Sequence, residues 1–232
     1  MDARSLLGDL RPQRFSAGTV VHDPIVEPDW TGVRVLAAVG SDGPDGSPEA
    51  FLVDKDGKPL SDLDPVVASL RDAVAADSIV VDGILTKQAT HDGTGTWTGP
   101  QQMPSMGKLF VTSMIGQRPD RAKEEAEQRE ADAEARRFGP DEPPALVIVD
   151  LLSLDGQSIL DVPLMERKRL LESVIVERDL VRVGIHIKPP VDTWVGSWRA
   201  QGFRGLTYKA ANSRYLPGSV NPDWITVKMP RG

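Results

Sequence analysis

The chain is organised around Ile25-Val26-Glu27-Pro28-Asp29-Trp30-Thr31-Gly32-Val33-Arg34. This stretch has an apolar lead-in, a turn stiffened by proline with a glycine behind it, and an arginine at the start of Val33–Gly40, a run apolar enough for a buried strand. A backbone laid out this way holds one residue, Asp29, at a fixed spot facing a pocket. Taken alone, an acid there suggests general-acid or metal chemistry.

Downstream of this stretch, turn residues fill 41–48, so the chain reverses into a second strand, Glu49–Asp54, closed by Asp54-Lys55-Asp56-Gly57. Asp64-Pro65 reads as a helix N-cap and first-turn pair, with Val66, Leu70 and Val74 on one face. Ser78–Leu85 is a short buried strand interrupted by Asp82-Gly83. Residues 86–118 are the least legible, and Met103, Met106 and Met114 around Phe110 read as gap-filling core residues. Pro119–Arg137 predicts a helix charged almost all round, with more acids than bases, hence a solvated insertion over 119–138. Ala145–Leu154 is a strongly apolar strand. A helix over Pro163–Arg178 follows, with Leu164, Leu171, Val174 and Ile175 as its stripe, then a strand over Leu180–Ile187. Asp192 caps a short helix bearing Trp194 and Trp198, and strands Gly205–Ala210 and Trp224–Lys228 close the chain. Residues 1–24 read as an N-terminal arm. Strands outnumber helices and hairpin signals join many of them, so the expected class is α+β, mostly antiparallel, in one domain spanning 1–232.

Composition narrows the function. The 232 residues carry a net charge of −7, with pI near 5.1, whereas a protein that wraps DNA by neutralising phosphates is normally basic. The absence of cysteine removes disulfides, thiolate nucleophiles and Cys-ligated zinc. His22, His91 and His186 lie far apart with no ligand spacing, so no metal site is expected. Without an apolar run of roughly 20 residues or a leader-like start, a cytoplasmic protein with no membrane partner is expected. There is no glycine-rich phosphate loop and no Ser/His/Asp set with recognisable spacing.

Five segments in order resemble the adenylation (nucleotidyltransferase) domain of ATP-dependent DNA ligases. Residues 27–34, Glu-Pro-Asp-Trp-Thr-Gly-Val-Arg, resemble the nucleophile motif E-P-K-x-D-G-x-R. Residues 54–58 are similar to the following S-R-N-G-K hairpin, and Ile79–Ile84 to the strand ending in D-G-E. Residues 149–156 and 161–167 closely match F-D-L-L-Y-L-D-G and D-L-P-L-x-E-R. Residues 204–209 and 224–228 resemble E-G-[LIV]-x-x-K and W-x-K-x-K. The likeness spans nearly the whole chain. It implies antiparallel sheets with flanking helices around an ATP cleft, an ATP-grasp-like architecture. In such enzymes the motif lysine takes AMP from ATP, with magnesium, and passes it to a DNA 5′-phosphate. The resemblance further implies an OB-fold domain beyond the last motif, and the sequence ends shortly after Lys228, so none is expected here.

The departures decide the functional expectation. The nucleophile position is Asp29, a carboxylate that cannot form the phosphoramidate and repels a triphosphate. The motif's own acid is Thr31, the D-G-E glutamate is Ile84, the adenine-stacking position is Val149, the E-G glutamate is Arg204 and the first W-x-K lysine is Thr226. Glu27, Arg34, Lys55, Lys209 and Lys228 survive, and with Trp30, Asp82 and Val149 they form the implied nucleotide-binding set. Lys55-Asp56-Gly57 lacks the motif's spacing, and Lys55 corresponds instead to the hairpin arginine. Asp29 and Arg204 reverse both family charges, which predicts an ion pair between them closing the old catalytic site. The expected protein is therefore a ligase-like domain without catalysis, a binding or scaffolding module near DNA repair whose partner is DNA or a repair protein. The alternatives are a domain that still binds ATP or AMP or keeps residual nucleotidyltransferase activity, and a ligase using another lysine such as Lys87 or Lys108.

Overall fold

A computed structural model describes residues 2–18, 20–41, 48–87, 90–91, 97–98 and 143–229. The charged helix expected over Pro119–Arg137, the methionines of residues 103–114 and Lys108 lie outside the described residues.

Two sheets organise the rest. The strongly apolar segments β3 (Val33–Gly40), β5 (Ile79–Thr86) and β8 (Ala145–Leu154) are buried on both faces and form the centre of a six-stranded sheet. Its order is β10 (Val181–Val183), β8, β5, β3, β4 (Glu49–Asp54), with β9 (Gln157–Ser158) hairpinned onto β8. The second sheet runs β1 (Arg14–Ser16), β12 (Val220–Lys228), β11 (Gly205–Ala210), β2 (Pro24–Pro28). Among the described residues only β10 on β8 and β1 on β12 are parallel, so the sheets are mostly antiparallel, as the hairpin signals predict. A further two-stranded piece pairs β6 (Thr90–His91) with β7 (Trp97–Thr98).

One core lies between the six-stranded sheet and helices α2 (Asp64–Ala73) and α3 (Leu164–Val174). A second fills the space between that sheet, the short helix α1 (Ala3–Leu7) and the smaller sheet, around Ile25, Leu36, Tyr215 and Trp224. A third lies where α4 (Asp192–Ala200) covers the smaller sheet.

Several local expectations are corrected. Residues 1–24 are not only an arm, since α1, β1 and the start of β2 fall there. Asp64 and Asp192 are the first helical residues and make no side-chain cap, the cap positions being Leu63 and Val191. Helix α3 stops at Val174 because Arg178 pairs with Val181 in a tight return to β10. That strand ends at Val183, and Ile187 bridges instead to Val26 of the smaller sheet. The buried face of α3 is Leu164, Arg167, Lys168 and Leu171, so two cations occupy places where apolar side chains are expected.

Two glycines set how the nucleophile-like stretch meets the sheets. A Cβ at Gly32 would lie 2.1 Å from the Leu85 carbonyl oxygen, so only glycine lets this turn rest on the end of β5. A Cβ at Gly83 would lie 2.9 Å from the Val147 carbonyl, at the register shift that bends β5 across β8. Gly32→Ala forces the turn off β5, and a loss of about 2 kcal/mol in urea-unfolding free energy is expected.

Candidate functional site

The two sheets converge on a cavity of about 120 Å³. Strand β2 and the turn after it supply Glu27, Pro28, Asp29, Trp30 and Gly32 to its wall, β3 supplies Arg34, and the centre of the large sheet supplies Ile84 and Val149. Thr207 and Lys209 of β11 and Phe15 of β1 complete it. The sequence thus brings Glu27, Asp29, Trp30, Arg34, Val149 and Lys209 to one place. Lys55 sits on the exposed hairpin after β4, paired with Asp56 at 2.9 Å, and Lys228 is exposed at the end of β12. Neither lines the cavity.

Glu27 is the electrostatic centre. Its carboxylate is 2% exposed and meets two ammonium groups, Lys168 Nζ at 2.5 Å from Oε1 and Lys209 Nζ at 2.6 Å from Oε2. Burial pushes the Glu27 pKa up, but the two lysines outweigh it and bring it down to about 2. Lys209 is lowered from its ordinary value, first by burial and then by Lys168, because two cations share one anion. The Lys209 ammonium also lies 4.2 Å from the Trp224 ring centre. Beyond its ion pair with Glu27, the Lys168 ammonium has no hydrogen-bond partner. Sequence reading missed it, although it stands next to Arg167 in the segment that matches D-L-P-L-x-E-R.

The second pair runs between β3 and β5. Arg34 donates to both Asp82 oxygens, Nε at 3.0 Å and Nη2 at 2.6 Å, and its Nη1 donates to the Gln13 carbonyl at 2.7 Å. Tyr215 donates its hydroxyl to the same Asp82 at 2.7 Å. Burial opposes the Arg34 charge, and Asp82 more than offsets it, holding the guanidinium above its ordinary pKa. Asp82 therefore stands behind Arg34, turned to protein groups. Trp30 packs edge-on against Phe203, ring centres 4.8 Å apart at 89°, with its indole nitrogen buried and without a hydrogen-bond partner.

Asp29 occupies the turn tip. Its backbone N–H donates to the Gly205 carbonyl at 3.0 Å. A Cβ on Gly205 would lie 2.8 Å from Asp29 Oδ2, so the missing side chain makes room for this carboxylate. The expected Asp29–Arg204 ion pair is not among those the described residues form. Arg204 is exposed, and it meets β12 through its carbonyl, which accepts from Met229 N–H at 2.9 Å.

These residues do not fit a magnesium-bound triphosphate. Glu27, Asp82 and Asp150 are each committed to internal cations. Among the described residues, no cluster of three His, Asp or Glu side chains converges to hold a metal. Both lysines near the cavity are engaged by Glu27.

Comparison with known proteins agrees with the fold. Residues 114–228 match the family model described as ATP dependent DNA ligase domain. The mycobacterial DNA ligase D complexed with ATP and MES superposes with a TM-score of 0.62 at 19% identity, covering 95% of this chain and 60% of that one. The ligase domain of M. tuberculosis LigD superposes at 0.59 and 20%, covering 95% and 59%. At these identities the likeness is one of fold. A DNA ligase of Methanothrix thermoacetophila is 33% identical over 90 residues, 37% of this chain and 16% of that protein. One of Methanocorpusculum labreanum is 30% identical over 81 residues, 35% and 15%. The chain thus spans about one sixth of the length of these relatives. Together the matches make the chain similar in sequence to ATP-dependent DNA ligases over part of its length, and similar in fold to their ligase domains. No helix among the described residues is long and apolar enough to cross a membrane.

Proposed function

We propose that this chain is a ligase-like adenylation domain that does not form an enzyme–adenylate and acts as a binding or scaffolding module linked to DNA repair. The observation that carries the reading is the carboxylate of Asp29 at the cavity wall, a residue that the motif resemblance aligns with the family's lysine. An enzyme–adenylate needs an unprotonated amine facing the α-phosphate. Among the described residues, the amine that lines the cavity, on Lys209, is held with that of Lys168 in buried ion pairs with Glu27. A triphosphate entering the cavity would meet the Asp29 carboxylate at its wall, and the lining cations Arg34 and Lys209 are already paired with Asp82 and Glu27. The charges that stabilise phosphoryl transfer elsewhere are spent here on holding β2, β11 and α3 together.

Incubation with α-labelled ATP and magnesium, read on a denaturing gel, tests this. The native chain is expected to carry no label, and label on it overturns the proposal. Asp29→Lys run alongside separates two cases. Label on that variant alone shows that the cleft still admits ATP, and its absence from both chains shows a cleft that has lost the nucleotide as well.

A further inference from the structure

Away from the cleft, at the β10 edge of the six-stranded sheet, lies a groove of about 360 Å³. Ile175, Val183 and Ile185 form its apolar part, Glu172 and Glu177 its acidic part, and His186 closes the inner end. Ile185 is 40% exposed and the adjacent Val176 50%, high for aliphatic side chains at a sheet edge. The edge itself is already plugged. Val183 N–H donates to the Glu177 carboxylate at 2.8 Å, and Arg178 and Val181 exchange backbone hydrogen bonds at 2.9 and 3.2 Å. A partner strand therefore finds no free backbone ladder there, and the groove offers only slots for side chains.

Its charge selects which ones. Glu172 and Glu177 are both exposed; His186 Nδ1 lies 3.9 Å from Glu172 Oε1, and Arg178, outside the lining, donates its Nη1 to the Glu177 carbonyl at 3.2 Å. Burial, and then the Lys168 ammonium, hold the His186 pKa below its ordinary value, so the imidazole is neutral at pH 7. The lining thus carries two carboxylates, a neutral imidazole and three aliphatic side chains, with no lysine or arginine among them.

We propose that this groove docks a basic side chain of a partner protein, an arginine or lysine whose head meets the Glu172 and Glu177 carboxylates and whose stem and aliphatic neighbours lie on Ile175, Val183 and Ile185. Long basic side chains suit such a place because the methylene stem covers apolar surface while the head keeps its charge partner. The inference does not depend on the ligase-like reading. His186 makes it testable. The charges that act on it are Glu172 and Lys168 from α3, Glu27 from β2 and Lys209 from β11. A further cation in the groove disfavours the imidazolium, so occupancy moves the His186 titration to lower pH.

The probe is the peptide acetyl-Leu-Arg-Leu-Arg-Leu-amide, titrated into the full chain and followed by amide and imidazole NMR. A counterpart with glutamate in place of arginine serves as control. Saturable shifts at Ile175, Val183, Ile185 and His186 are expected, with a lower His186 midpoint, and neither with the acidic peptide. Glu172 is more than half exposed, so Glu172→Lys leaves the fold intact, and it is expected to weaken binding about tenfold. Shifts spread over other acidic surfaces, an affinity unmoved by Glu172→Lys, or an unchanged His186 midpoint at saturation overturns the proposal.

Discussion

Glu27→Gln is expected to cost about 3–5 kcal/mol of folding stability, because it removes the one anion that two buried ammonium groups share. A glutamine keeps the shape and can still accept one hydrogen bond, so the loss measures charge rather than volume. Lys168 is fully buried and Lys209 nearly so. Neither can turn to water, and each would have to give up its proton or open the packing between β2, β11 and α3. Against a typical total of about 5–15 kcal/mol, the variant is expected to unfold at a far lower urea midpoint with an unchanged slope. Lys168→Met in the Glu27→Gln background removes one orphaned cation and is expected to recover part of the loss, a non-additivity that a double-mutant cycle reads directly.

The same carboxylate sets an acid limit on stability. Its pKa is about 2 in the fold, against an ordinary glutamate value of 4.5. A depressed carboxylate contributes stability that is fully present above the unfolded value and is lost as pH falls toward the folded one. The loss therefore falls between pH 4.5 and 2, with a size of about 3 kcal/mol from the linkage relation. Urea titrations at pH 5, 4 and 3 are expected to show it in the native chain, and Glu27→Gln is expected to flatten that limb.

How much of this was legible from residues alone differs from element to element. The frame of the cleft was, because each piece carries a local signal. Val33–Gly40 and Ala145–Leu154 are apolar enough to be central strands, Asp155-Gly156 closes a hairpin with both residues at positive φ, and Gly32 marks a turn that no side chain can enter. Asp29 and Trp30 follow, since that turn fixes where they stand. What was not legible is charge pairing across long sequence separations. Glu27 finds Lys209 182 residues away, and no pattern in either segment announces it. Lys168 was hidden for another reason. Positions 164, 167, 168 and 171 have the spacing of a buried helical stripe, but Arg-Lys in the middle reads as a solvated face when apolar character alone is followed. The spacing was the signal that could have found it. The Asp29–Arg204 pair failed because complementary charges at motif positions say nothing about where each side chain goes. Gly205, the residue between them in space, receives the Asp29 backbone while Arg204 stays exposed.

The buried stripe also gives the other large effect, at Arg167. This guanidinium is wholly buried and grips Asp150 with two bonds, Nε to Oδ1 at 2.8 Å and Nη2 to Oδ2 at 2.7 Å. Its Nη1 donates to the Val162 carbonyl at 2.5 Å and the Ser213 carbonyl at 3.1 Å. One side chain thus ties α3 to β8, to the loop that starts the helix and to the connection from β11 to β12. Its face lies 5.9 Å from the Tyr215 ring, whose hydroxyl reaches Asp82 and so the Arg34 pair. Arg167→Met fills similar volume but strands the Asp150 carboxylate, which keeps only the Leu151 N–H at 2.9 Å, and the half-buried Val162 carbonyl, while the Ser213 carbonyl keeps the Leu164 N–H at 3.0 Å. A loss of about 4–5 kcal/mol is expected, larger than any exposed ion pair in the molecule could give. Arg167→Lys keeps the charge without the planar fork, so it is expected to recover less than half of that. The measurement is urea unfolding followed by tryptophan fluorescence, which Trp224 reports from beside Tyr215, ring centres 6.1 Å apart. Arg167→Met paired with Asp150→Leu removes both charges and is expected to lie well above the single Arg167→Met variant in stability, because replacing a whole buried pair is far milder than orphaning half of it. If the double variant is as unstable as the sum of the singles, the pair is not what holds α3 on the sheet.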